Sequence, residues 1–244
     1  MTVLHTTSRG SKTRVDKLKL TELLAERLLI NIPPVGLAWL AAAPDGVRVL
    51  GKTPPSFCAL WRLGERSAFF APAGRHKECL IGAHMAGFPL SAGEMDEAHA
   101  MMSEMCRSDR VPPDNLATLT QVPQPGAGGV LYGPLWDYPG QPDLIVLWAT
   151  LAQAAVLQEL VGPLTWPGNP GGAVFGRPAC GVVGAALSVG RLALHEGCVG
   201  MRLYTNLPPE LCPLALPKPL FDVAEAGLTA LSDGPARIEG YLAK

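Results

Sequence analysis

No two cysteines in this 244-residue chain are separated by only two residues, so the C-x2-C pairs that mark zinc ribbons and ferredoxins are absent. Positive charge is not in excess either. Against 21 Asp and Glu there are 20 Lys and Arg, and a formal net charge of −1 argues against adhesion to nucleic acid through a phosphate-binding surface. The one basic cluster, at 9–19, reads as a solubilising lead-in to the first helix. No apolar run reaches the ~18–20 residues that a membrane span needs. The longest, 174–189, is broken by Arg177, Pro178 and several glycines. The first 19 residues are polar and lack the charged, apolar, small-residue order of a secretory signal. Walker A, H-E-x-x-H and G-x-S-x-G motifs do not occur. The Gly126-Ala127-Gly128-Gly129 run is a flexible turn, since Leu131 stands where a dinucleotide fingerprint needs its third glycine and a strand follows.

What the chain does contain is apolar bulk and many turns. A hydrophobic fraction of 48% with 17% charged residues fits one large domain, 14–244, behind a flexible polar lead at 1–13. The 27 glycines and 24 prolines divide it into short elements. With no signal and no span, the expected compartment is the cytoplasm, where thiols stay reduced. The six cysteines therefore read as ligands, catalytic groups or small buried apolar residues before they read as disulfides.

Hydrophobic spacing predicts an amphipathic helix over 15–30, a buried strand at 35–40 and a short strand at 47–50. A helix starts after Pro54-Pro55-Ser56, and 67–70 extends back from it. A polar loop at 74–78 delivers Cys79, a helical run follows, and an amphipathic helix covers 94–107. After a loop at 108–129, strands are expected at 130–135 and 144–148, a helix at 152–160 and a Pro/Gly/Trp loop at 162–172. Residues 201–204 read as a strand, 207–219 as a Pro-rich connector and 221–231 as the final helix. The fold class is α/β or α+β: a mixed sheet with flanking helices, built from two pseudo-repeated halves at about 30–107 and 130–220.

The cysteines define those halves. Cys58 and Cys79 bound one unit, and Cys180 and Cys198 bound another. Each runs cysteine, apolar helical stretch, turn, strand-like stretch, cysteine, then apolar residue and glycine. A helix of eight or nine residues climbs roughly 13 Å, and five or six strand residues return ~17–20 Å. The second thiol of each unit therefore lands near the first. If the units face one another, four thiolates meet, which is the usual ligand set of a [4Fe–4S] cluster and also suits tetrahedral zinc.

Nearby groups add chemistry. A cysteine in the first turn of a helix faces unsatisfied N–H groups that favour thiolate. His76 and Lys77 bring positive charge beside Cys79, and His195 with Glu196 beside Cys198 is the best acid–base pair. Three readings stay open, and with them whether the protein is an enzyme. One is a metal or iron–sulfur protein working on a small molecule or with a redox partner protein. The second is a metal-free thiol enzyme with His195 or His76 as base. The third is a small-ligand module whose cysteines only pack. Cys106 lies in a Met-rich helix, and Cys212, before Pro213, is at most a spare ligand. His84 and His99 have no partner at metal-ligand spacing. Trp136-Asp137-Tyr138 and Trp166-Pro167 are loop aromatics suited to walling a ligand pocket.

These residues resemble a family. The run Pro34-Val35-Gly36-Leu37-Ala38-Trp39, then Phe57-Cys58, Glu78-Cys79 with Gly82-Ala83, and Leu131-Tyr132-Gly133-Pro134-Leu135 looks like the DUF169 family of prokaryotic proteins. The likeness continues through Pro142-Asp143, Ala152-Gln153-Ala154, Gly171-Gly172, Ala179-Cys180 and Glu196-Gly197-Cys198-Val199-Gly200, covering roughly 30–225. The family carries no assigned function, and its members are most alike at such cysteine-bearing segments. The resemblance therefore implies that Cys58, Cys79, Cys180 and Cys198 are ligands. This chain departs from it in the apolar neighbours of the second pair, Gly181-Val182 and Val199-Gly200-Met201.

Overall fold

Asp16 opens the first helix by accepting the Lys19 N–H on its carboxylate at 3.1 Å. Helix α1 (Lys17–Leu28) then buries Leu20, Leu23, Leu24 and Leu28 on one stripe. The structure, a computed structural model, describes residues 15–52, 54–106, 121–122, 126–165 and 178–242. The lead at 1–13, most of the 108–129 loop, and Trp166 with Gly171-Gly172 lie outside these residues.

The fold is α+β. Strands β1 (Val35–Leu40), β2 (Phe69–Pro72), β3 (Gly129–Pro134), β4 (Leu144–Ala149), β5 (Ala193–Leu194) and β6 (Cys212–Pro217) form one six-stranded sheet in the order β2-β3-β1-β4-β6-β5. Every ladder is antiparallel. Among the described residues parallel pairing is limited to the isolated bridges Val49–Phe70 and Thr165–Ala193, so the expected mixed sheet is narrowed to an antiparallel one and 47–50 supplies a bridge rather than a strand. The strand order reads the same backwards when β1, β2 and β3 are exchanged for β4, β5 and β6.

Period-two alternation sends side chains to opposite faces. Leu144, Val146 and Trp148 of β4 join one apolar cluster, with Val35, Leu37 and Trp39 of β1. Ile145, Leu147 and Ala149 join another. The first face is covered by α2 (Phe57–Gly64), α4 (Leu80–Met85), α5 (Ala92–Cys106), α7 (Gly181–Val189) and α8 (Val199–Thr205). The short α3 (Ala73–His76) replaces the start of the expected polar loop at 74–78. The second face is covered by α1, α6 (Leu151–Val161), α9 (Phe221–Ala230) and α10 (Gly234–Leu242).

Three further expectations are corrected. Residues 201–204 lie inside α8, because Cys198 caps a helix there and Met201 and Thr205, one turn apart, point inward. The connector at 207–219 contains β6, with Pro213 and Pro217 inside the strand. Helix α10 follows the helix expected to be last.

Candidate functional site: four thiols round one cavity

Each of the four expected cysteines stands at the start of a helix. Ser56 caps α2, its hydroxyl accepting the Ala59 N–H at 3.1 Å, which sets Cys58 in the first turn. Cys79 is itself the cap of α4, and its Sγ accepts the Gly82 N–H at 3.4 Å. Cys198 caps α8 in the same way, with Met201 N–H to Sγ at 3.4 Å. Cys180 immediately precedes α7. Each unit is also strapped across its ends. The Phe57 N–H, next to Cys58, donates to Cys79, and the Ala179 N–H, next to Cys180, donates to Cys198.

All four thiols line a single cavity of about 660 Å³. Cys58 and Cys180, one from each unit, lie near enough to perturb one another electrostatically. Close approach is permitted by Gly82: a Cβ there would stand 2.3 Å from Phe57 Cβ and 3.1 Å from Cys79 Sγ. Trp39 anchors the same region to the sheet by donating its indole N–H to the Ala86 carbonyl, at the end of α4, at 2.9 Å. Among the described residues, no three Cys, His, Asp or Glu side chains converge as a single metal ion would require. The thiols are instead distributed round the cavity wall.

Without a metal, Cys58, Cys79 and Cys198 are thiols rather than thiolates. The neighbouring Cys180, then burial, pushes Cys58 well above the ordinary range. Burial takes Cys79 to about 11 and also raises Cys198, against the N–H donors that favour the anion. Helix position alone therefore does not deliver the expected thiolate.

The expected positive charge beside Cys79 is also missing. His76 is buried and packs beside the Phe57 ring. Its ring nitrogens lie 3.0 Å from the Pro72 carbonyl oxygen and 2.8 Å from the Tyr132 hydroxyl, and burial lowers it to about 4. Lys77 pairs outward with Glu94 at 2.8 Å. His195 is buried, its Nδ1 accepting the Gly197 N–H at 2.9 Å and lying 3.4 Å from Glu196 Oε2. His76, His195 and Glu196 are not among the described residues that line the cavity.

The remaining candidates fall elsewhere. Cys212 packs in the cluster on the opposite face of the sheet. Cys106 ends α5. His84 is buried in α4, with the Gln121 amide 2.7 Å from its Nε2. Trp136 is exposed and Tyr138 is buried in a small cluster with Ala38, Phe70 and Leu131, so this loop does not wall the cavity. Its wall includes Met101 and Glu104 of α5 and Leu203 and Tyr204 of α8, which sequence reasoning did not single out. The signal for the last two was hidden by reading 201–204 as a strand.

Fold and site together define an α+β protein whose antiparallel sheet carries, over one face, four helix-start cysteines round one cavity. The chain belongs to the DUF169 family, described as an uncharacterised ArCR, whose profile matches residues 23–227. No curated protein and no solved structure matches it.

Proposed function

We propose that the protein binds a [4Fe–4S] cluster through Cys58, Cys79, Cys180 and Cys198 and serves in electron transfer or redox chemistry on a small molecule. One observation carries this reading: four thiols from four separate helix starts line a single cavity. Four cysteines are the usual ligation of such a cluster, and when bound it supplies one-electron transfer. The residues fit it chemically. Backbone N–H groups of Phe57, Gly82, Ala179 and Met201 already point at two of the sulfurs, and such hydrogen bonds stabilise thiolate and tune potential. The surrounding wall is largely apolar, Phe57 and Met201 among it.

Zinc is the weaker occupant, since among the described residues no three Cys, His, Asp or Glu side chains converge as a single ion requires. A metal-free nucleophile is disfavoured too, since a thiol at about 11 is ionised in only about one molecule in 10⁴ at pH 7. The reversible strand order supports a repeat of β1–β3 and β4–β6, each bringing one cysteine pair, in which β3 belongs to the first half and not to the expected second half at 130–220. The working compartment is the reducing cytoplasm. The counterpart is a small molecule or a redox partner protein; neither nucleic acid nor membrane enters this reading. Among the described residues no helix is long and apolar enough to cross a membrane.

Anaerobic purification followed by iron and zinc analysis and visible spectroscopy tests the proposal. The expected result is about four iron per chain with broad absorbance near about 400 nm, and loss of both in Cys58→Ser and Cys180→Ser variants that keep native circular dichroism. Colourless protein that takes up no iron under reconstitution would overturn it.

A further inference from the structure

We infer that the outer part of the cavity binds an apolar small molecule carrying one positive charge. The volume of about 660 Å³ lies within the ~300–1,000 Å³ typical of small-molecule sites. The eight atoms of an iron–sulfur cubane fill only part of it. The cavity has two ends. Cys58, Cys180 and Cys198 are 5%, 4% and 8% exposed, whereas Val199, Leu203 and Tyr204, on α8 at the rim, are 66%, 70% and 45% exposed. Exposed apolar side chains lining a cavity mouth are surface that an apolar ligand would remove from water.

Charge selects the ligand further. Among the described lining residues Glu104 is the only acidic or basic side chain, and no described residue forms an ion pair with it. An anionic ligand would meet this carboxylate with no described basic side chain in the wall to offset it. A cation instead gains a charge-assisted contact with Glu104, in a wall that Tyr204 also lines. Its apolar body then lies against Ile81, Met101 and Leu203. This assignment rests on the cluster reading for its consequence, which is that the ligand sits beside the redox centre.

The test is isothermal titration of three probes of similar shape, 2-phenylethylammonium, 2-phenylethanol and phenylacetate, into the reconstituted protein and the metal-free protein. The expected affinity order is ammonium over alcohol by about tenfold, with phenylacetate weakest. Glu104→Gln, a change at an exposed position, should bring the ammonium to the level of the alcohol. Leu203→Asp should weaken the neutral alcohol as well. Phenylacetate binding as tightly as the ammonium, or a preference unchanged in Glu104→Gln, would overturn the inference. Iron content is measured on the same samples, so the two readings fail separately. A Glu104-dependent preference in protein that takes no iron sinks the cluster alone. A normal iron spectrum without that preference sinks the ligand assignment alone.

Discussion

His76 sits in a place where, among the described residues, a charged imidazole has no counter-ion: under Phe57, against Phe88 and Tyr132. Hydrogen bonding explains its tautomer. The Pro72 carbonyl can only accept, so Nδ1 carries the proton and Nε2 accepts from the Tyr132 hydroxyl. Folding thus holds the ring neutral down to about 4, while the unfolded chain takes up a proton below about 6.5. Stability from this residue is complete above about 6.5 and is lost as pH falls through about 4, amounting to about 3 kcal/mol. Urea melts at pH 7 and pH 4.5 should show this loss, and His76→Gln should narrow the gap between the two pH values. A gap of the same size in the variant would assign the acid sensitivity to other groups. At this scale the residue types were legible but their surroundings were not. Sequence proximity put His76 beside Cys79 as a charge, whereas α3 turns it into the core.

Helix starts carry the site, and their positions depend on close packing between elements. The clearest case is Gly82 in α4, where a Cβ would overlap Phe57 of α2. Gly82→Ala should push the two helices apart, cost about 1–3 kcal/mol by overpacking, and displace Cys79 from its Gly82 N–H. Chemical denaturation and iron retention measure the two effects. A stable variant with full iron content would show that the helices have room to move. Elements with plain periodicity, such as α1 and β1, were readable from the sequence because hydrophobic spacing alone decides them. The ones misread had tertiary causes. Pro213 and Pro217 argue against a ladder strand, yet β6 lies between β4 and β5. The Pro213 carbonyl accepts the His195 N–H, so its missing donor faces the β5 side, where β5 pairs only with Leu214 and Ala215. Four residues on, Pro217 presents the same edge. The pattern Val199-Gly200-Met201-Arg202 likewise gave no helical period, and only the sulfur cap at Cys198 shows why a helix begins there.

At the scale of the molecule, the proposed ligands tie together helices that follow different strands of one sheet. A cluster bound by the folded chain and not by the unfolded one stabilises it by mass action. Reconstituted protein should therefore melt several degrees above its metal-free form, and Cys58→Ser should abolish the difference. Equal melting temperatures for iron-loaded and metal-free protein would mean that the thiols are not joined through one centre. The sheet order and the gathering of the two cysteine units were beyond sequence reasoning. Spacing brings the ends of each unit together, but joining the units depends on β1 pairing with β4. That pairing also sets a timetable. The cavity wall runs from Pro55 to Tyr204, so a ribosome-bound chain owns no complete version of the site until most of its length has emerged. Loading of the proposed cluster would then be a late event in the life of the nascent protein, and Cys58 and Cys79 would wait, as reduced thiols, for their partners to be made.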